Sequence, residues 1–350
     1  MKSRLSKRSL WVVAAFVCVL AVSVAGATAA NRPVPKGPVN KGLKKGLKVF
    51  VIPKNLGNSY FTTADSVKTG GALAALKELG EQGSETSGNA ATAAAQIPAI
   101  RAAISKGANA LVVSATDPKA ICPTLKQAMA RKITVVTYDA DAPSCRTLFI
   151  NQADTAAIGT SEVDLLAKLI HSKGKIAIVS AAASAPNQNA WIGFMKRQLK
   201  KYPKMQLVST VYGNDDPTKS TQVTQGLLQR YPDLKGIIAP TTVGILAAAQ
   251  VVSAQHKSGK VIVTGLGTPL AMKKYVLNGT VPAFELWNPA DLGYLAAQAA
   301  VQLASGAITN ARGQSFRAGK LGKYTVGGGN TILLGRPFVF NKSNVGRFHF

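Results

Sequence analysis

The chain has 350 residues, of which 47% are hydrophobic and 16% charged, and this excludes a disordered protein. At about 150 residues per domain, the length predicts two domains. Three cysteines exclude a disulfide-dense scaffold, and three histidines that lie far apart leave little for a metal centre. The formal net charge of +27 favours anionic surroundings, either nucleic acid or an envelope surface.

The N-terminal residues 1–30 are predicted to be a signal peptide. Four basic residues precede an uncharged stretch from Leu10 to Ala30, and the small residues around Ala29 form a cleavage pattern. The uncharged stretch is long enough to span a bilayer, so an uncleaved anchor is the alternative. We therefore expect an exported protein that is periplasmic or associated with the cell envelope.

Residues 31–46 are predicted to be a basic linker. The stretch from Arg32 to Lys48 contains six basic residues, three prolines and no acidic residue, which is typical of a flexible charged chain. A solvated spacer is the first interpretation, and an arm that binds the wall or lipid is the second. A further stretch without acidic residues runs from Arg312 to Phe350. Our hypothesis for the charge is electrostatic retention at an anionic membrane or wall surface.

The remaining two cysteines outside the signal peptide are Cys122 and Cys145. Export would place them in an oxidising compartment, where they are a plausible disulfide pair. Two inert buried thiols are the alternative. Closing a loop of this length would stabilise the fold by about 3 kcal/mol in the chain-entropy model.

From Lys48 onward, short β-branched runs alternate with helical segments. Strands are predicted at 48–53, 110–115, 133–138, 175–180, 206–212, 236–239, 260–264 and 281–287, with a weak one between 80 and 88. Helices are predicted at 61–79, 118–130, 154–170, 189–201, 219–230, 243–255, 269–277 and 292–305. The alternation of strands and helices begins again after Asn151. This pattern predicts an α/β fold with two doubly wound parallel-sheet lobes.

The segments that follow these strands are rich in Asp, Asn, Gln and Trp. Ligands of open parallel sheets bind beyond the carboxyl ends of the strands. Carboxylates, amides and a lysine suit a neutral polyhydroxylated ligand, because they accept and donate hydrogen bonds to hydroxyl groups. Trp191 and Trp287 lie in or beside these segments and can stack on a sugar ring.

Individual residues of these segments also have structural interpretations. Lys54, directly after the first strand, is either a ligand donor or a surface lysine. Asp139 is a better ligand candidate than Asp141, which suits a turn or a helix cap. One of the three amides Asn187, Gln188 and Asn189 is expected to cap a helix, but three exceed what a cap needs, which favours ligand contact. Trp191 could instead belong to the core.

Catalytic patterns are missing from the sequence: there is no HExxH motif, no GxSxG elbow and no Walker A loop. The stretch that begins with Gly265 starts like a dinucleotide fingerprint but lacks its third glycine, so a tight turn is the better interpretation. Asp215 and Asp216 precede a helix and are interpreted as a capped turn. We expect no enzyme activity, no metal and no cofactor.

The chain resembles the type I periplasmic sugar-binding proteins, the solute receptors of ABC importers, over about residues 47–350. The most specific stretches are APNQNAWI at 185–192, YPDLKGIIAPTTVG at 231–244, LWNPADLGY at 286–294 and PFVFNKSNV at 337–345. Within this family it is most similar to the rhamnose-binding components. A sister group binds the furanosyl autoinducer of quorum sensing.

The resemblance implies two lobes joined by three hinge crossings. The N-terminal lobe would comprise residues 46–150 plus 283–310, and the C-terminal lobe residues 151–282 plus 311–350. The lobes would close around the ligand, and the membrane permease would recognise the closed form. A monomer is expected. Nucleic-acid binding is not, since a signal peptide and a linker occupy the place where repressors of this fold carry a helix-turn-helix.

The resemblance also implies ligand contacts. Lys54, Asp139, Gln188 and Pro240 are similar to contacts of the autoinducer receptors, whereas Asn187 and Thr242 depart from that group and favour a pyranose. The cysteine pair is more similar to the autoinducer receptors.

Rhamnose has a methyl group where a hexose has CH₂OH, so we expect an apolar wall formed by Phe61 or Trp287. The full expected ligand set is Lys54, Phe61, Asp139, Asn187, Gln188, Asn189, Trp191, Pro240, Thr242, Trp287 and Asn288. The resulting hypothesis is a receptor for rhamnose or a related deoxysugar, with the autoinducer or a pentose as alternative ligands.

Overall fold

The computed structural model describes residues 42–350. The predicted signal peptide, the possible anchor and most of the basic linker lie outside the described residues. Between residues 42 and 350, no helix is long and apolar enough to cross a membrane.

Strands and helices alternate along most of the chain, as the sequence predicts. The strands are β1 Lys48–Ile52, β2 Gln82–Glu85, β3 Ala110–Val113, β4 Thr134–Tyr138, β5 Leu148–Asn151, β6 Gly174–Ser180, β7 Met205–Tyr212, β8 Leu234–Ala239, β9 Ile262–Gly265, β10 Ala283–Leu286, β11 Ser315–Arg317, β12 Lys323–Thr325, β13 Thr331–Leu333 and β14 Phe338–Asn341. The helices are α1 Ser59–Asp65, α2 Ala72–Leu79, α3 Ala93–Ser105, α4 Pro118–Ala130, α5 Thr155–Leu169, α6 Pro186–Gln198, α7 Pro217–Arg230, α8 Thr242–Ala254, α9 Pro269–Leu277 and α10 Pro289–Ala304.

The first lobe is built on a six-stranded parallel sheet in the order β13-β5-β4-β3-β1-β2. Its central strands are apolar because helices cover both faces of the sheet. Within β1, Val49 and Val51 join one hydrophobic core, and Phe50 and Ile52 join the core on the opposite face. The edge strand β2 has the sequence QGSE and is exposed throughout, which explains its weak sequence signal.

The second lobe is built on a four-stranded parallel sheet in the order β7-β6-β8-β9. Helices α5 to α9 belong to this lobe. The chain passes between the two sheets three times: at 152–154, at 287–288 and at 334–337. These features confirm the predicted fold class of two doubly wound lobes joined by a hinge.

The C-terminal tail divides between the lobes. The boundaries expected from the sequence placed all of residues 311–350 in the second lobe, but β13 pairs with β5 at the edge of the first sheet. Strand β14 instead pairs antiparallel with β10. An isolated bridge between Leu266 and Glu285 ties β10 to the end of β9, so residues 283–286 lie beside the second sheet.

The single helix predicted at 61–79 is divided into α1 and α2. Gly70 and Gly71 lie between them, and Gly70 adopts a φ of 78°. A Cβ atom on Gly71 would lie 2.0 Å from the carbonyl oxygen of Ala64. A glycine is therefore required where the chain turns back against α1, and the apolar spacing alone did not show this break.

The turn after β9 is as tight as the glycines at 265 and 267 predict. Gly265 has a φ of 136°, and a Cβ atom on it would lie 2.1 Å from the carbonyl oxygen of Ala239. This close approach of two strand ends explains the glycine without a nucleotide.

A buried carboxyl group lies in α5 near the hinge. Glu162 is fully buried, and neither of its carboxyl oxygens has a hydrogen-bond partner among the described residues. Burial raises the pKa of Glu162 well above its ordinary value of 4.5, and the neighbouring Glu285 raises it further. Burial in the folded protein therefore favours the neutral form of this group.

Glu162→Gln is expected to flatten the pH dependence of stability. Because the folded-state pKa is raised, the stability associated with protonated Glu162 is complete below about pH 4.5 and is lost as the pH rises. The free energy of unfolding of the variant should equal that of the unmodified protein at about pH 4.5. At about pH 8 it should be higher than that of the unmodified protein by about 1–3 kcal/mol. Urea unfolding at both pH values measures this difference, and parallel pH profiles would contradict it.

Candidate functional site

A cleft lies where the carboxyl ends of strands from both sheets meet, as expected for open parallel sheets. Its cavity volume is about 30 Å³, room for about two water molecules, so the cleft is nearly closed. Its lining residues are Lys54, Asn58, Tyr60, Phe61, Asp139, Asn187, Gln188, Trp191, Asp215, Pro240, Thr241, Thr242, Leu266, Leu286 and Trp287.

Three polar side chains form a closed network across this cleft. Lys54 follows β1, Asp139 follows β4, and Asn187 lies in the first turn of α6 in the other lobe. The Nζ atom of Lys54 lies 3.3 Å from Oδ2 of Asp139 and donates to Oδ1 of Asn187 at 3.3 Å. Nδ2 of Asn187 donates to Oδ1 of Asp139 at 3.3 Å. Each of the three residues therefore contacts the other two, and the network links the lobes.

The Asp139 carboxylate is held firmly in place. Its Oδ2 atom accepts a 2.7 Å hydrogen bond from the Oγ atom of Ser114, at the end of the neighbouring strand β3. Asp139 is 5% exposed and has a φ of 59°, a conformation that Asp tolerates better than most residues. Ser114, Lys54 and Asn187 use three of about four acceptor positions of the carboxylate, which leaves one for a ligand hydroxyl.

Aromatic side chains form an apolar wall of the cleft. The ring centroids of Tyr60 and Phe61 are 5.1 Å apart, those of Tyr60 and Trp287 are 6.2 Å apart, and those of Trp191 and Trp287 are 6.1 Å apart. These spacings are typical of edge-to-face and tilted aromatic pairs, which pack rigidly. The wall therefore offers apolar ring faces and edges of fixed orientation.

Trp287 and Tyr60 are also joined by a hydrogen bond. The indole Nε1–H of Trp287 donates to the Tyr60 hydroxyl at 2.8 Å. Burial raises the pKa of Tyr60 well above its ordinary value, and the charge of Asp139 raises it further. Tyr60 is therefore a neutral phenol whose hydroxyl lies close to the Asp139 carboxylate.

The second lobe contributes further polar groups. Gln188 is 5% exposed, and its Oε1 atom has no hydrogen-bond partner among the described residues. Thr241 donates a hydrogen bond from its hydroxyl to the Asp215 carboxylate. Burial raises the pKa of Asp215, whereas Lys54 and Thr241 act to lower it. A ligand hydroxyl or amine would give the Gln188 oxygen the partner that it lacks.

Two of the predicted ligand residues lie outside the cleft. Asn189 is exposed, and its Nδ2 atom donates to the carbonyl oxygen of Ala183 at 2.7 Å. Asn288 caps α10: its Oδ1 atom accepts from the backbone N–H of Ala290 at 3.0 Å, and its Nδ2 atom donates to Asp291. The structure does not support a ligand contact for either residue. The other nine predicted residues line the cleft.

Sequence reasoning missed six of the lining residues, namely Asn58, Tyr60, Asp215, Thr241, Leu266 and Leu286. Asp215 was interpreted as part of a capped turn, but only Asp216 caps α7, through the backbone N–H of Lys219. The signal for Asp215 was its position three residues after the end of β7, and the rule that strand ends carry ligand residues also found Lys54 and Asp139. Tyr60 lies next to Phe61 in α1 and had no separate signal.

The amide at position 187 should matter for binding, and the amide at position 189 should not. Asn187→Ala removes a group that contacts both Lys54 and Asp139, and we expect ligand affinity to fall about tenfold or more. Asn189→Ala is the matched control from the same helix and should change affinity less than about twofold. Calorimetric titration of both variants tests this, and equal losses would contradict the assignment of Asn187 to the cleft.

The side chains that line the cleft suit the binding of a ligand. Among residues 42–350 there is no group of three or more His, Cys, Asp or Glu side chains that could hold a metal ion. The lining combines hydroxyls, amides, carboxylates, one ammonium group and aromatic rings, a set that suits a small neutral molecule with several hydroxyl groups. The fold and the cleft together define a two-lobed receptor for a small polar solute.

Comparisons with known proteins agree with this class. A model of the periplasmic binding protein domain matches residues 49–308. A sugar ABC transporter structure from Actinomyces odontolyticus is 42% identical, covers 87% of this chain and 98% of its own, and has a TM-score of 0.68. An ABC transporter solute binding protein from Clostridium phytofermentas with bound L-rhamnose is 35% identical, with coverage of 88% and 99% and a TM-score of 0.83. The D-ribose/D-allose-binding protein of Pseudomonas aeruginosa is 26% identical over 293 residues, which are 80% of this chain and 89% of that protein.

The chain belongs to the periplasmic binding protein family. It is a type I sugar-binding solute receptor of an ABC transporter, and such receptors are not enzymes.

Proposed function

We propose that this receptor binds L-rhamnose or a closely related 6-deoxysugar and delivers it to an ABC permease. The observation that carries this proposal is the division of a small cleft into a polar network and an aromatic wall. Lys54, Asp139 and Asn187 form the polar network, and Phe61 and Trp287 belong to the aromatic wall that lines the same cleft.

The polar side would recognise the hydroxyl groups of the ring. Asp139 accepts, Lys54 donates, and Asn187 and Gln188 do both. Lys54, Asp139 and Asn187 are held by one another, so few of their rotamers are lost when a ligand binds. A sugar hydroxyl of the wrong configuration leaves one of these buried groups without a partner, at a cost of about 1–3 kcal/mol.

The apolar side would recognise the methyl group at C6. Phe61 is 3% exposed and packs between Tyr60 and Tyr138, with ring centroids at 5.1 and 6.2 Å. A methyl group against such a surface gains about 0.8 kcal/mol, whereas a CH₂OH group would bury a hydroxyl beside aromatic carbon. The relative from Clostridium phytofermentas, 35% identical, was solved with L-rhamnose, and this supports the choice of sugar.

Lobe closure would complete the site. Contacts already join the lobes at the cleft: Asn187 bonds to Lys54 and Asp139, and the Ser184 hydroxyl donates to the carbonyl oxygen of Thr116 at 3.3 Å. A ligand that bridges the same groups stabilises the closed arrangement, which presents both lobes to the permease together. Export to the periplasm or the cell envelope follows from this role.

The test is a fluorescence titration of the exported protein, in which Trp191 and Trp287 report on the cleft. The panel contains L-rhamnose, L-mannose, L-fucose, ribose, xylose, galactose and the furanosyl autoinducer. L-Mannose is the matched control, since it differs from L-rhamnose only by the hydroxyl at C6. We expect saturable binding of L-rhamnose near micromolar Kd, about −8 kcal/mol, and L-mannose weaker by about tenfold to 100-fold. Preference for the autoinducer or a pentose would overturn the choice of sugar.

Phe61→Ala tests the apolar wall directly. Loss of the phenyl ring should weaken L-rhamnose binding about tenfold and should reduce the preference for L-rhamnose over L-mannose, because the CH₂OH group gains room and water. Trp287→Phe is the comparison variant for the other candidate wall residue. Calorimetry with both sugars measures the ratio of Kd values, and an unchanged ratio in Phe61→Ala would remove Phe61 from the methyl contact.

A further inference from the structure

A basic groove lies at the amino-terminal edge of the second sheet. It is lined by the residues where β6, β8 and β9 begin, including Gly174, Leu234 and Ile262, and its volume is about 740 Å³. The sugar cleft follows the carboxyl ends of the same strands. The groove is therefore separated from the cleft by the length of β6, about 20 Å.

The groove has a strong excess of positive charge. Four of its lining residues are lysines: Lys173, Lys235, Lys257 and Lys260. Within residues 42–350 none of their side chains is within ion-pair distance of an acidic group. Asp233 precedes two of the lining residues in the chain, pairs with Lys175 at 2.9 Å and also feels the charge of Lys235. Lysines that neutralise no acid repel one another, and an anion bound among them would relieve that repulsion.

One of these lysines is packed into position. A Cβ atom on Gly174 would lie 2.5 Å from Cγ of Lys235, so the aliphatic part of Lys235 lies directly against the glycine backbone. Gly174 has a φ of 114°, in the region that glycine adopts readily. The stem of Lys235 is therefore fixed while its charged end reaches solvent.

The lining also limits what could bind. Besides the lysines it consists of small or aliphatic residues and His171, with no Phe, Tyr or Trp to stack on nucleic-acid bases. None of the exposed large hydrophobic residues among those described lies in the groove, so nothing there inserts into a bilayer. The groove offers ammonium groups on an open surface, which suits a chain of phosphates.

The position of the groove leaves it accessible to a large polymer. Because the carboxyl ends of both sheets meet at the cleft, the amino-terminal edge of the second sheet lies on the side of that lobe away from the first lobe. A polymer can therefore bind the groove without entering the sugar cleft. We propose that this groove binds a phosphate-bearing polymer of the cell envelope and retains the receptor there; the envelope location rests on the proposed function.

The experiment compares two variants of the exported protein with equal charge. The groove variant carries Lys173→Gln, Lys235→Gln, Lys257→Gln and Lys260→Gln. The control variant carries Lys68→Gln, Lys106→Gln, Lys119→Gln and Lys126→Gln, four exposed lysines of the first lobe. The probe is long-chain inorganic polyphosphate, with affinity measured at about 50 and about 200 mM NaCl, because each neutralised phosphate adds to the salt dependence.

We expect the groove variant to bind polyphosphate at least about tenfold more weakly at low salt and with a shallower salt dependence, and the control variant to lose less than about threefold. Equal losses would show that only net charge matters and would overturn the proposal. Vesicles of phosphatidylglycerol and phosphatidylcholine form a second arm, and a larger groove-dependent loss on vesicles than on polyphosphate would assign the groove to the membrane instead. Sugar titration of the groove variant should be unchanged, which separates this proposal from the proposed function.

Discussion

Replacement of Asp139 by alanine is expected to weaken sugar binding at least about 100-fold, the largest effect of any single substitution in the cleft. The change removes the acceptor for a ligand hydroxyl and leaves the Lys54 ammonium group buried without its partner at 3.3 Å. Truncating one member of a buried, hydrogen-bonded charge pair costs about 2–5 kcal/mol in binding. Asn187 and Ser114 would lose an acceptor in the same step.

Asp139→Asn separates charge from shape. The amide keeps the size of the carboxylate and one acceptor oxygen, but it cannot neutralise Lys54. Binding should again fall, though by less than in Asp139→Ala. If the two variants were equally weak, the charge rather than the acceptor geometry would carry the interaction.

Asp141→Asn is the matched control from the same loop. Asp141 pairs with Arg146 at 3.0 Å and accepts a hydrogen bond from the Thr137 hydroxyl at 2.6 Å, and it does not line the cleft. Its replacement should lower stability but change the Kd for the sugar less than about threefold. Calorimetric titration of all three variants measures the Kd for the sugar, and circular dichroism checks that each variant is folded. If Asp139→Ala bound the sugar as tightly as the unmodified protein, Asp139 would not be a ligand contact.

The alternation of strands and helices could be predicted because parallel strands covered on both faces are continuous apolar runs. Strands that are exposed or very short lack this pattern, and the sequence predicted them poorly. The exposed strand β2 had almost no apolar signal, and the short strands of the tail are defined by pairing partners far away in the sequence. The split between α1 and α2 falls at Gly70 and Gly71, a glycine pair of the kind that marks turns, whereas the apolar spacing continues through it.

The candidate site could be predicted from the rule that ligands bind beyond the carboxyl ends of the strands. The rule identifies a loop, but the geometry of each element decides which side chains of that loop face the cleft. Asn187 and Trp191 are four residues apart on α6 and share a helix face, whereas Asn189 lies about 200° around the helix from Asn187. Asn288 instead caps α10, because its side-chain oxygen accepts a hydrogen bond from one of the backbone N–H groups that have no partner within the helix.

The disulfide between Cys122 and Cys145 joins α4 to the loop that follows β4, with the two Cα atoms 5.5 Å apart. Asp139 begins this loop and contacts the ligand cleft. The bond closes a loop with a sequence separation of 23 residues. In the chain-entropy model such a loop stabilises the folded state by about 3 kcal/mol.

Joint replacement by Cys122→Ala and Cys145→Ala is therefore expected to lower the free energy of unfolding by about 3 kcal/mol. Sugar affinity should change less than about threefold, because Asp139 is held by Ser114 and Lys54 independently of the disulfide. Urea unfolding with and without dithiothreitol measures the effect: the reductant should destabilise the unmodified protein and leave the double variant unchanged. If dithiothreitol left the unmodified protein equally stable, the disulfide would make no contribution to stability. If affinity fell together with stability, the disulfide would instead be needed to position Asp139.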